Sequence, residues 1–136
     1  MNKNLLYILT TLECIEKIFI CTADFKTSKD FYDNNEQLNY NAVIKLVSVI
    51  GEEVSKIDPD ILVGEKIDWM AIKATRNRIV HDYRGIDREI IFSIVRSELP
   101  KLKDSLIELF KFIDIPTDLR ETLARSDYYK HIRYLF

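Results

Sequence analysis

Glycine and proline are nearly missing from this chain, with three of each among 136 residues. So few turn signals, set among long helix-compatible stretches, favour an all-α bundle over any sheet. Cysteine is scarce too, and Cys14 and Cys21 are seven residues apart on what reads as one helix. That is about two turns, roughly 10 Å along the axis, too far for a mutual disulfide. They read as reduced, intracellular thiols. No apolar run approaches the roughly 20 residues that span a bilayer, and the N-terminus lacks the basic, apolar and small-residue sequence of a leader, so no membrane association and a cytoplasmic location are expected. Neither charge sign dominates: 20 Lys and Arg against 22 Asp and Glu give a net charge of -2. A generally basic surface is thereby excluded, and any polyanion contact must come from a local cluster. Repeats, low-complexity tracts and metal-binding clusters are absent as well. What remains, 47% hydrophobic and 31% charged residues, suits a single domain over residues 1–136 with a core of its own.

Apolar periodicity places a first helix over about Asn4 to Ala23, with Leu5, Leu9, Leu12 and Phe19 stepping along one stripe. The polar stretch Thr27 to Asn35 reads as an exposed connection. A second helix is expected from about Glu36 to Lys56, and Gly51 inside it implies close packing against a neighbouring helix, since it costs about 1 kcal/mol relative to Ala. Asp58-Pro59 marks a boundary. Asp68 can cap a third helix in which Trp69, Ile72 and Ile79 share a side, and Gly85 ends or bends it. Asp87 then caps a fourth helix reaching about Phe112, kinked at Pro100. Thr117 can cap a short terminal helix whose aromatic end either folds back onto the bundle or packs on a second subunit.

The third helix carries Arg76-Asn77-Arg78-Ile79-Val80-His81-Asp82-Tyr83. With Arg76 at zero on a helical wheel, Tyr83 falls about 20° to one side, and Asn77 and His81 fall near 100° and 140° on the other. The four can therefore border one cleft. Arg76 can neutralise a phosphate with forked donors, and His81 can exchange a proton near neutral pH. Asn77, one turn before His81, can orient the imidazole or donate to a phosphate oxygen. In RNA the neighbouring 2′-hydroxyl is a built-in nucleophile, so cleavage needs a proton acceptor and charge stabilisation but no metal. Against this stands the plainer reading that an isolated Arg and His on an amphipathic helix are solvated or structural, with His81 capping a helix end.

Arg76, four residues, His81, one residue and Tyr83 match the Arg-x4-His-x-Tyr signature of the HEPN superfamily. Ile50-Gly51-Glu52, Trp69 leading into Arg76-Asn77, and Ile86-Asp87 at a helix start resemble its HepT branch. The similarity covers about residues 5–115 and leaves the tail, 116–136, unmatched. It implies an up-and-down bundle of four to five helices that forms a homodimer with two motifs facing one cleft. It further implies a metal-independent endoribonuclease toxin of a type II-like toxin–antitoxin pair, whose antitoxin is a small nucleotidyltransferase of the MNT type. On that resemblance Arg76, Asn77 and His81 are the catalytic set, Arg78 and Arg84 add substrate contacts across the dimer, and Tyr83 accepts AMP from the antitoxin. No cofactor is implied. The alternative is a non-catalytic HEPN subunit that binds a nucleotidyltransferase.

Other residues read more plainly. Glu52 packs near the motif helix or faces solvent, with orientation of a motif side chain as its functional reading; it stays outside the catalytic set. Trp69 is an apolar anchor, His131 has no evident partner, Cys14 and Cys21 are small core residues, and Lys101, Lys103 and Lys111 form a solvated face.

Overall fold

The computed structural model describes residues 2–62, 69–81 and 86–136, with Val80 and His81 described by backbone alone. Among them every regular element is helical. Helix α1 (Lys3–Thr22) is capped by Asn2, whose side chain accepts from the Asn4 N–H, and buries Leu5, Ile8, Leu9, Leu12, Ile15 and Ile18. Steps of three and four residues put these six on one face, and that face forms the centre of the core.

The stretch expected to be an exposed connection is instead partly structural. Thr27 accepts from the Asp30 N–H at 3.1 Å and caps a short helix, α2 (Ser28–Asp33). Its Phe31 is fully buried, with ring centroids 5.9, 5.5 and 6.0 Å from Phe25, Tyr40 and Phe92. One aromatic residue with a good cap outweighs the polar neighbours, since burying such a side chain contributes about 1.5–3 kcal/mol. Asn35, Glu36 and Gln37 then take successive left-handed conformations, with φ of 51°, 55° and 65°. The next helix, α3 (Leu38–Lys56), therefore starts two residues later than the apolar pattern suggests. Asn tolerates this region; Glu36 and Gln37 bear a cost of about 1–2 kcal/mol each.

Two hydrogen bonds set α3 antiparallel to α1. The Asn39 amide donates to the Cys21 carbonyl at 3.0 Å, and the Asp58 N–H donates to Asn4 Oδ1 at 3.0 Å. Helix α4 (Trp69–His81) packs on α3. Asp68 and Gly85, the expected start and stop of this helix, lie outside the described residues.

Asp87 does cap α5 (Arg88–Ser93), accepting from the Glu89 N–H. The kink expected at Pro100 takes a particular form, a π-helical segment over Ile94–Glu98 that precedes α6 (Leu99–Lys111). Here the Leu99 N–H donates to the carbonyl of Ile94, five residues back. One extra residue in the turn relieves the clash of the proline ring with the carbonyl four residues before it. Arg96, within the segment, donates to the Thr22 and Phe25 carbonyls and so closes the end of α1.

Helix α7 (Thr117–Arg125) begins after Pro116 without the expected cap: Thr117 is its first helical residue, and no side-chain cap bond forms. The tail, Asp127–Leu135, then folds back on α1 in 3-10 turns that bury Tyr129 and Ile132. His131 has a partner after all. Its backbone N–H donates to Glu13 Oε1 at 2.8 Å, and its Nδ1 lies 2.5 Å from Oε2 of the same carboxylate, which is almost wholly buried. Next to it, Glu16 accepts from the Tyr134 hydroxyl at 2.9 Å and pairs with Lys103 at 2.7 Å. Lys103 thus belongs to the tail contact, while Lys101 and Lys111 are mainly exposed.

Candidate functional site

The geometry of the site starts from a missing side chain. At Gly51 of α3 an added Cβ would fall 2.3 Å from Arg76 Cβ and 2.9 Å from Arg76 Cγ. Separations below about 3 Å are prohibitive, so α3 and α4 can approach this closely only at glycine. Ile72 and Ile79, seven residues apart, are buried and fix the inward face of α4. The aliphatic stem of Arg76 consequently lies on bare backbone, and its guanidinium emerges beside the residue after Gly51.

That residue is Glu52. Its Oε2 lies 2.6 Å from Arg76 Nη2, while Arg76 Nη1 donates to Asn77 Oδ1 at 3.1 Å. The two side chains of the ion pair are 32% and 44% exposed, so the guanidinium is anchored yet open to an incoming anion. His81 closes α4 one turn after Asn77. The Asn77 oxygen here serves the arginine, a role the sequence reading did not give it.

Arg76 and Asn77 are therefore brought together as expected, and Glu52 joins them. Arg78 is not part of this group: two residues from Arg76, it is turned about 200° away, where it is exposed and borders a small crevice with Thr75, Ile79, Ile86, Asp87, Ile90 and Ile91. The side chain of His81 and the whole of Tyr83 and Arg84 lie outside the described residues. Glu52 had a sequence signal, because glycine in a helix interior marks a close approach and the next residue borders it.

Other chemistry is narrowed by burial. Desolvation pushes the Cys14 thiol up to about 11, so it is protonated at neutral pH and a poor nucleophile. Among the described residues no group of three or more His, Cys, Asp or Glu side chains could hold a metal ion, and no helix is long and apolar enough to cross a membrane.

Fold and site together define an all-α bundle presenting an anchored arginine at the junction of two helices, five residues before a histidine. The chain belongs to the Ribonuclease HepT-like family, which matches residues 11–109. It is 29% identical over 103 residues to the "Probable ribonuclease HepT" of Thermococcus cleftensis, covering 74% of this chain and 86% of that protein. It is 30% identical over 104 residues to "Putative RNase MJ0127" of Methanocaldococcus jannaschii, covering 76% and 84%. The "Gamma-glutamylcyclotransferase and putative RNase MJ0434" of the same organism is 29% identical over 118 residues, 84% of this chain but only 51% of that protein, so the chain spans about half its length. No solved structure matches. The family match ends inside α6, which leaves α7 and the tail as additions beyond it.

Proposed function

We propose that this chain is a metal-independent endoribonuclease toxin whose working form is a dimer and whose antitoxin is a nucleotidyltransferase of the MNT type. The observation that carries the reading is the Arg76 guanidinium, held at 2.6 Å by Glu52 and 3.1 Å by Asn77 and open to solvent, in a member of the HepT-like ribonuclease family. In this reading Arg76 grips the scissile phosphate. Neutral His81 takes the proton of the 2′-hydroxyl as its oxygen attacks phosphorus. The P–O5′ bond breaks, leaving a 2′,3′-cyclic phosphate, and the 5′ oxygen collects its proton from the imidazolium of a second copy. Arg76, Arg78 and Arg84 from both copies give a locally cationic groove in a chain of net charge -2.

Tyr83 is the control point. Its hydroxyl attacks the α-phosphorus of a nucleoside triphosphate held by the antitoxin, pyrophosphate leaves, and the AMP now on the oxygen fills the anion site with negative charge. The test is RNA cleavage by the purified chain in excess chelator. We expect cleavage to persist, to leave 2′,3′-cyclic phosphate ends, and to fall on the order of a hundredfold or more in His81→Ala. An absence of cleavage, or wild-type rates in His81→Ala, overturns the nuclease reading. If mass spectrometry still finds AMP on Tyr83 in a chain that cleaves nothing, the non-catalytic partner of a nucleotidyltransferase takes its place.

A further inference from the structure

We infer that Glu52 is a positioning residue for Arg76, fixing the guanidinium in the attitude a phosphate requires and holding its charge in check until that phosphate reacts. The inference rests on the ribonuclease reading and adds a fourth side chain, from another helix, to the motif on α4.

Three contacts restrain Arg76. Its Cβ and Cγ lie against the bare backbone of Gly51, Nη2 meets Glu52 Oε2 at 2.6 Å, and Nη1 donates to Asn77 Oδ1 at 3.1 Å. A guanidinium has five N–H donors in a rigid fork. With two of them engaged by Glu52 and Asn77, three remain for a ligand. An arginine otherwise loses much side-chain freedom on binding, so a group that arrests it beforehand brings substrate and catalyst together with less still to order.

As a stabilising contact the pair counts for little. Glu52 is 44% exposed, and ion pairs at such sites are worth little to folding. Its placement matters more. A carboxylate at 2.6 Å offsets the arginine's charge in the resting site, which weakens the attraction for a phosphodiester carrying one negative charge. The pentacoordinate phosphate formed during cleavage carries more, and against it the anchored guanidinium has its greatest effect. Glu52 should therefore act on turnover more than on binding.

The experiment compares steady-state cleavage of a short RNA by the full chain and by Glu52→Ala and Glu52→Gln, together with NMR of the Arg76 guanidinium, assigned with Arg76→Lys. Glu52→Ala should lower kcat on the order of tenfold to a hundredfold, with no rise in KM. Glu52→Gln keeps an oxygen acceptor without the charge; it should recover kcat to within about threefold of wild type and lower KM. In the spectra, rotation about the guanidinium Cζ bonds should be hindered in the wild-type chain and free in Glu52→Ala. Wild-type kcat in Glu52→Ala, a loss that Gln does not restore, or a freely rotating guanidinium in the wild-type chain each overturns the inference. If the wild-type chain cleaves no RNA, the nuclease reading fails, and the spectra alone still decide whether Glu52 restrains Arg76.

Discussion

Gly51 and Arg76 make one contact whose cost can be measured. In an exposed helix interior Gly→Ala gains about 1 kcal/mol from propensity. Here the new methyl would meet Arg76 Cβ at 2.3 Å, and neither helix can withdraw without lifting Ile72 or Ile79 out of the core. We expect Gly51→Ala to lose about 1–3 kcal/mol net, the range for overpacking, read as a lower urea midpoint at unchanged slope. A gain in stability would show that the α3–α4 contact is looser than described. The sequence marked Gly51 as a close-packing site but not its partner, because which helix lies opposite is a tertiary fact. Glu13 was invisible for a related reason. A carboxylate amid leucines and isoleucines declares itself only when its partner, 118 residues away, folds onto it.

At the scale of elements, the tail supplies the sharpest test. The Glu13 side chain is only 2% exposed and has His131 on both its oxygens. His131→Ala keeps the backbone bond and removes the imidazole, so a buried carboxylate loses its closest side-chain partner and keeps the His131 N–H and Lys17, whose Nζ lies 4.0 Å away. That should cost about 1–3 kcal/mol, seen in urea melts, with little effect on cleavage, since the tail packs on α1 rather than α4. An unchanged midpoint would mean that solvent replaces the imidazole freely. Periodicity located α1 and α3 to within a few residues, and α5 through α6 as one run interrupted by a kink, because long apolar stripes leave little choice of structure. It failed where single residues decide: at α2, fixed by Thr27 and Phe31; at the start of α3, displaced by three left-handed residues; and at Thr117, where Pro116 takes the capping position. Pro100 correctly signalled a distortion, while its π-helical form could not be read from the proline alone, since a kink can relieve the same clash in other ways.

For the whole molecule the open matter is assembly. One face of α4 leaves Met70 73% exposed, with Ala71 and Ala74 exposed beside it. A single copy presents Arg76 and Arg78 on different sides of one helix, which makes a poor grip on a continuous RNA strand. Two copies related across this face, which on the helical wheel lies nearer Arg78 than Arg76, would set the Arg78 side chains of both copies along one shared surface. Light scattering should then give twice the 16.1 kDa chain mass at micromolar concentration, and Met70→Glu should halve it. A monomer that still cleaves RNA at wild-type rates would remove the composite groove while leaving Arg76 and His81 their roles.

The empty space at Gly51 also acts as an alignment mark between two rods. Helices packed by leucines and isoleucines alone can slip by a turn, about 5.4 Å, and meet similar apolar surface again. Here a slip would drive a side chain other than that of Arg76 against the notch, and would carry the guanidinium away from Glu52. The atom that is not there thus sets the pitch at which the arginine and its carboxylate are delivered to the same edge of the bundle.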